Sequence, residues 1–297
     1  MRLVLTGDDK IAVQQGDGYV DVSDVFSDIR YRSAADRMPR VLAVFKERRP
    51  RIEAAAANGT PMSVASFQAP VPKPPKLIAA FGNYREGTDR EREEQDMFLE
   101  SPDSVLAPGG TVILPRQQAT IFHHEAELGL VIGTRAKDLP ADERALEALA
   151  GYTCAIDVSA RGLGRRGPSR MGKSFDTFTP LGPAIVTTDE IADPQDLNVT
   201  LTVNGDLRQE YSTSDMEYSV VEVLAFLSSY MTLVPGDVIM CGTNHQGLGA
   251  LQDGDHTVMT IGGIGTLEID VRDPHTREWN RGIDEEMAAR VRGAVAS

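Results

Sequence analysis

The sequence predicts a β-rich α+β fold: a small N-terminal α/β domain over residues 1–70, a larger strand-rich domain over 71–278 and a charged tail over 279–297. Three observations carry this. Short alternating or wholly apolar runs recur along the chain and are divided by Gly, Pro, Asn and Asp turn signals. Helical spacing is confined to a few stretches. Four prolines fall within residues 67–75, an extended connector between the two parts.

In order, residues 1–6, 11–13 and 19–22 read as short strands separated by Gly7-Asp8-Asp9 and Gly16-Asp17-Gly18. Residues 33–57 have helical spacing interrupted by Pro50, which predicts two helices or one kinked helix ending at Asn58-Gly59. Residues 76–81 form a buried strand. Residues 86–96 are almost all charged or polar, either a solvated loop or a mobile lid over a site. Pro108-Gly109-Gly110 turns into a strand at 111–114, and a short helix is expected at 140–149. Strands follow at 151–157 and 197–203. Asn204-Gly205 makes a hairpin, and 220–231 is helical. Strands at 238–241, 256–261 and 265–271 close the β-rich region, before a helical tail.

A chain of 297 residues with 41% apolar content can bury a substantial core. Its net charge is −14 and it has no Lys/Arg run, which argues against nucleic acid as a partner but not against a small anionic substrate held by local cations. No signal peptide precedes the first strand, and no run approaches the ~18 apolar residues of a membrane helix, so a cytoplasmic protein with no membrane partner is expected. Cys154 and Cys241 lie in apolar runs and read as reduced core thiols, with a disulfide between them left open.

The chemistry concentrates in His123-His124-Glu125-Ala126-Glu127, which enters the apolar run Leu128–Ile132. Strand side chains alternate, so His123, Glu125 and Glu127 share one face. Two neighbouring carboxylates at the edge of a buried run need neutralising, and an all-oxygen set favours Mg²⁺, Mn²⁺ or Ca²⁺. The alternative is a solvated strand end with ordinary surface glutamates. Asp157 is a third carboxylate at a strand terminus. Arg161 opens a Gly- and Arg-rich stretch that is either a surface loop or an anion-recognition element.

His123-His-Glu-Ala-Glu-Leu-Gly129, Asp157-Val-Ser-Ala-Arg161, Gly172-Lys-Ser-Phe175, Asn204-Gly-Asp-Leu-Arg-Gln209 and Pro235-Gly-Asp-Val-Ile239 with Gly242-Thr243 together resemble the fumarylacetoacetate hydrolase (FAH) family. The resemblance covers roughly residues 74–275 and looks strongest toward acylpyruvases and bacterial relatives with a small N-terminal domain. It implies a mixed β-sandwich roll and a homodimer. It implies Glu125, Glu127 and Asp157 as ligands of Mg²⁺ or Mn²⁺, Lys173 as the active-site lysine, and Arg161, Thr243, Tyr84 and Gln209 as substrate-binding positions. The implied reaction is hydrolysis of a C–C bond in a 2,4-dioxo acid of the acylpyruvate kind. A bound divalent ion would act there as a Lewis acid toward the leaving enolate.

The departures fall on the general base. The family's lid His and Glu positions hold Gly87 and Arg90, and Glu86, Asp89 or Glu91 stand as substitutes. A lysine that often follows Phe-Leu is replaced by Glu100, and an Asp and a Gln after Arg161 are replaced by Gly162 and Gly164. His245, in the glycine-rich loop 242–249, is the replacement base on this reading, with Glu86 as the catalytic lid acid; a loop histidine bonded to backbone is the alternative. Without the lid pair, isomerase, tautomerase or decarboxylase chemistry on a 2-oxo acid, or a non-catalytic metal-binding relative, are the competing functions. Specificity is expected in the lid and in residues 162–170.

Overall fold

The computed structural model describes residues 1–89, 91–163 and 170–291. Arg90, Gly164 and most of the 162–170 stretch assigned to specificity therefore lie outside the described residues.

Strands β1 (Arg2–Leu5), β2 (Ile11–Gln15) and β3 (Gly18–Asp21) form a meander, followed by helix α1 (Ala34–Asn58). The chain continues through β4 (Leu77–Phe81), β5 (Asp96–Glu100), β6 (Val105–Leu106), β7 (Thr111–Ile113), β8 (Phe122–His123) and β9 (Ala126–Ile132). Then come β10 (Leu149–Ile156), β11 (Ser159–Ala160), β12 (Thr179–Val186), β13 (Asn198–Val203), β14 (Asp206–Ser212), α2 (Val220–Tyr230), β15 (Val238–Met240), β16 (His256–Ile261), β17 (Gly265–Arg272) and α3 (Glu285–Val291).

Among the described residues the strands make a ten-stranded sheet ordered β3-β2-β1-β12-β10-β9-β15-β4-β5, with β6 beside β12. A five-stranded sheet has the order β14-β13-β16-β17-β7, and β8 and β11 form a two-stranded sheet. This is the mixed, sheet-rich α+β architecture the resemblance implies. Residues 1–70 contribute β1–β3, which extend the large sheet through the antiparallel β1–β12 pairing (Leu3 opposite Ile185).

Two apolar layers flank the large sheet. On one face Val41, Leu42 and Phe45 of α1 pack with Val131, Ile185 and Met240. On the other, Leu128, Leu130, Cys154 and Ile156 meet Val199, Leu201, Met259 and Leu267 of the second sheet. Covered on both faces, β9 and β10 are buried along their whole length, which is why they read as continuous apolar runs. An acid on such a strand is necessarily buried, and Glu127 is one.

Of the two alternatives for the first helical stretch the single helix is the one found: residues 34–58 form one helix with Pro39 and Pro50 inside it. The apolar stripe that includes Ile52 and Ala56 buries against the sheet and offsets the backbone hydrogen bond each proline forfeits. The helix expected at 140–149 is a 3₁₀ turn, Glu143–Ala148, capped by Asp142, and Leu149 already belongs to β10. Both cysteines are free and buried. No helix among the described residues is long and apolar enough to cross a membrane.

Candidate active site

Glu125 sits between β8 and β9, Glu127 is the second residue of β9, and Asp157 follows β10. β9 and β10 are antiparallel neighbours with Ala126 opposite Ile156, and the Asp157 N–H donates to the Glu125 carbonyl at 2.8 Å. Register therefore brings the three acids together. Each offers an oxygen within 4.8 Å of the others, and all three are buried.

Two cations face them. Lys173 Nζ donates to Glu125 Oε2 at 2.5 Å and to Asp157 Oδ2, and Arg161 Nη2 donates to Glu125 Oε1. Burial opposes ionisation of Glu125, but Lys173 and Arg161 outweigh it and hold that carboxyl well below the usual range. Burial pushes Asp157 up to about 7 against the pull of Lys173. Burial and the neighbouring Asp157 push Glu127 well above the carboxylate range. Burial likewise disfavours the Lys173 ammonium, yet Asp157 and Glu125 outweigh it and raise its pKa. With all three carboxyls ionised, three acids against two cations would leave a deficit of positive charge, and Asp157 Oδ1 has no hydrogen-bond partner among the described residues. A hard, all-oxygen donor set of this kind fits Mg²⁺ or Mn²⁺.

His123 lies on the same face. Arg161 Nε donates to His123 Nδ1 (3.2 Å), so the ring proton sits on Nε2 and is donated to Asp284 Oδ2 (3.0 Å). Burial, helped by Arg161, pushes this histidine down to about 4 and keeps it neutral. It thus aims Arg161. His124 points the other way, its Nδ1 against Gln209 Oε1 at 3.1 Å.

The base candidates converge. His245 Nδ1 lies 2.7 Å from Glu86 Oε1, and the His245 N–H meets both Glu86 oxygens at 2.9 Å. A turn over residues 85–88 makes the pairing: Thr88 N–H donates to Arg85 O at 3.0 Å, and Glu86 (φ 60) and Gly87 (φ 63) are both left-handed. Only glycine adopts the second position without strain. Gly87 stands where the family has histidine, and in this chain it lets the turn fold Glu86 back onto His245. Gly87→Ala should cost about 1 kcal/mol of stability, measurable by urea unfolding, and should lower turnover by loosening Glu86. Unchanged stability and rate would refute this role for the turn. Asp215 fastens both sides, accepting from Gly87 N–H (3.2 Å) and Asn244 Nδ2 (3.3 Å). Asp89 and Glu91 make no such contact with His245.

The 86–96 stretch, read as a solvated loop or a mobile lid, is tied to the body of the fold at residues 92 and 93. Arg92 pairs with Glu222 (2.7 Å) and stacks 3.7 Å over the Tyr218 ring, while Glu93 N–H donates to Glu217 Oε1 (2.7 Å). Gly162, replacing the family's Asp, has φ 76, and a Cβ there would come within 2.5 Å of Thr120 Cγ2.

A cavity of about 610 Å³ opens beside the triad, with His123, Arg161, Arg170, Lys173, Asp284 and Arg290 among its lining residues. Arg161 and Lys173 therefore face it as expected. Tyr84, Gln209 and Thr243 are buried behind the triad and do not line it. Tyr84 packs edge-on against Tyr211 with centroids 5.0 Å apart. Gln209 accepts from Ala126 N–H (3.1 Å) and donates to Thr243 Oγ1 (2.8 Å) and Asn244 O (2.7 Å), which ties the glycine-rich loop to β9. Tyr84, Gln209 and Thr243, expected as substrate-binding positions, thus lie outside the lining of this cavity.

Sequence reasoning missed Asp215, Asp284 and Arg290. None lies in a motif, and each reaches the site only through the tertiary fold. In the sequence Glu100 reads only as a departure from the family. It ends β5, is 5% exposed, and neither carboxyl oxygen has a hydrogen-bond partner among the described residues.

The family model described as "Fumarylacetoacetate (FAA) hydrolase C-terminal" matches residues 57–272. The maleylpyruvate hydrolase of Aquipseudomonas alcaligenes is 33% identical over 291 residues, covering 92% of this chain and 99% of that one. A mitochondrial oxaloacetate tautomerase of Bos taurus is 40% identical over 190 residues, covering 62% of this chain and 60% of that protein. The crystal structure of maleylpyruvate hydrolase from Sphingobium sp. SYK-6, in complex with manganese (II) ion and pyruvate, superposes with a TM-score of 0.82 at 32% identity, covering 92% of this chain and 99% of that one.

Proposed function

This chain belongs to the fumarylacetoacetate hydrolase family, and we propose that within it the protein is a divalent-metal-dependent hydrolase of a 2,4-dioxo acid, releasing pyruvate and a second acid. The observation that carries the reading is a buried three-carboxylate cluster beside a cation-lined cavity, and the paired His245 and Glu86, which do not line that cavity, supply the base on this reading. Kinship to maleylpyruvate hydrolases across nearly the full chain supports it.

Glu125, Glu127 and Asp157 would hold Mg²⁺ or Mn²⁺, the manganese-and-pyruvate complex of the Sphingobium relative being consistent with that set. The ion supplies Lewis-acid stabilisation of negative charge developing on the substrate oxygens. Arg161, aimed by His123, binds the substrate carboxylate. Lys173 adds positive charge at the developing oxyanion. His245 Nε2 removes a proton from water, while Glu86 fixes the ring through Nδ1 and stabilises the imidazolium. The water oxygen adds to the C4 carbonyl carbon and the C3–C4 bond breaks. Its electron pair moves to C3 and delocalises into the C2 carbonyl. A proton returned to C3 completes pyruvate, and C4 leaves as a carboxylic acid.

A second reading, keto–enol tautomerisation of a 2-oxo acid, is favoured by the 40% identity to oxaloacetate tautomerase. It needs His245 only to move a substrate proton and no attacking water.

Enol absorbance of an acylpyruvate panel, followed with Mg²⁺, Mn²⁺ or EDTA and with pyruvate assayed in parallel, separates these outcomes. Metal-dependent loss with stoichiometric pyruvate is expected. Loss without pyruvate would replace hydrolysis by tautomerase, isomerase or decarboxylase chemistry. No turnover, with metal-dependent thermal stability, would point to a non-catalytic relative.

The homodimer is part of the same proposal. β5 is the edge of the large sheet, and Leu99, Phe81, Met171 and Tyr230 are exposed. An edge strand with apolar neighbours is covered economically by a second copy. Light scattering should give twice the 32.2 kDa chain mass, and a monomer would refute it.

A further inference from the structure

We propose that Glu100 is a positioning residue: the counter-ion that receives Lys173 when the Glu125–Glu127–Asp157 cluster takes a divalent cation. The inference rests on the reading of that cluster as the metal site.

Lys173 Nζ now sits on Glu125 Oε2 and Asp157 Oδ2, oxygens a divalent ion would claim. An ammonium and a dication on the same oxygens repel strongly in a buried site. Lys173 must then withdraw, and its side chain is only 14% exposed, so the new partner must itself be buried.

Glu100 meets that requirement. Among the described residues both of its oxygens lack partners, a state buried carboxyls rarely keep. It lies beside the lysine: Ser101 N–H donates to Ser174 Oγ at 3.1 Å, joining the residue after Glu100 to the residue after Lys173. Each group also feels the other's charge. Glu100 is not in the set whose oxygens lie within 4.8 Å of one another, which separates it from the ligands proper. The charges agree as well. With all four carboxyls ionised (Glu100, Glu125, Glu127, Asp157), Lys173 and Arg161 would leave a net −2, which one divalent ion closes. A residue that stabilises the loaded arrangement by receiving a displaced group acts on affinity without touching the ion.

The test is a double-mutant cycle read as Mn²⁺ affinity by isothermal titration calorimetry on the full chain, with E100Q, K173M and the double variant. E100Q should weaken Mn²⁺ binding by about 10–100-fold. In the K173M background the same change should have almost no effect, because the group needing a partner is gone. An E100Q affinity equal to wild type, or an equal loss in both backgrounds, would overturn the proposal; the latter would make Glu100 a ligand or a general electrostatic contributor. Failure of the wild-type protein to bind Mn²⁺ while folded would instead overturn the metal-site reading beneath it. Circular dichroism melts check folding, and Glu100→Asp, which keeps the carboxyl, is carried through the same cycle should E100Q not fold.

Discussion

Glu127→Gln is expected to abolish Mn²⁺ binding in calorimetry and to lower turnover of any accepted substrate by about 10³-fold or more, the several kcal/mol of charge stabilisation a Lewis acid contributes. Glu127 is the informative ligand because, among the described residues, it forms no ion pair with Lys173 or Arg161. Among the described residues its Oε2 accepts a hydrogen bond only from Gly242 N–H, at 2.6 Å, and a Gln side-chain oxygen can take over that bond. Burial already disfavours its charged form, so neutralising it should leave stability unchanged or slightly improved. Glu125→Gln is a poorer probe. It strips the shared counter-ion from Arg161 and Lys173 and leaves two mostly buried cations underpaired, which costs about 3–5 kcal/mol for a fully buried pair and less at this partly open site. Retained Mn²⁺ affinity in folded Glu127→Gln would remove this residue from the metal site.

The parts of this site legible in the sequence share a property: they are local. Glu125 and Glu127 are two residues apart on an apolar strand, and Asp157 ends the strand that pairs with it, so alternation alone places two of the three on one face. Arg161 and Lys173 came from motif resemblance, and both face the cavity. The His245–Glu86 contact spans 159 residues and depends on two consecutive left-handed residues. Composition points to a polar loop there but not to the turn that aims its acid. The loss of the family's lid histidine to Gly87 looks, in sequence, like the loss of a base. In the structure the glycine is what lets another acid reach another histidine. Asp284, from a tail that reads merely as charged, fixes the tautomer of His123, and no local pattern announces that. The fold divides similarly. Individual strands and the Asn204-Gly205 hairpin follow from periodicity and turn chemistry. The joining of β1 to β12 is a long-range pairing that periodicity does not encode.

His245→Ala should lower pyruvate release by about 10²–10⁴-fold, the usual contribution of a positioned general base, while leaving Mn²⁺ affinity unchanged because His245 is not among the clustered ligands. Glu86→Gln should cost less. Gln keeps a hydrogen bond to Nδ1 but removes the charge that stabilises the imidazolium and favours the tautomer with Nε2 free. The pair of variants also separates the two chemistries. Hydrolysis needs a base for water on the far carbonyl, so losing His245 should suppress pyruvate release far more than metal-dependent enol–keto interconversion, which other groups around the cavity can sustain. Tautomerisation through His245 predicts the opposite: interconversion collapses with the imidazole, and no pyruvate was formed to begin with. If both activities persist in His245→Ala at the wild-type rate, the His–Glu pair is structural and the proton acceptor lies elsewhere. An equal collapse of both would make His245 the shared base, with the stabilised enolate common to the two reactions and the fate of C4 decided by whether water reaches it.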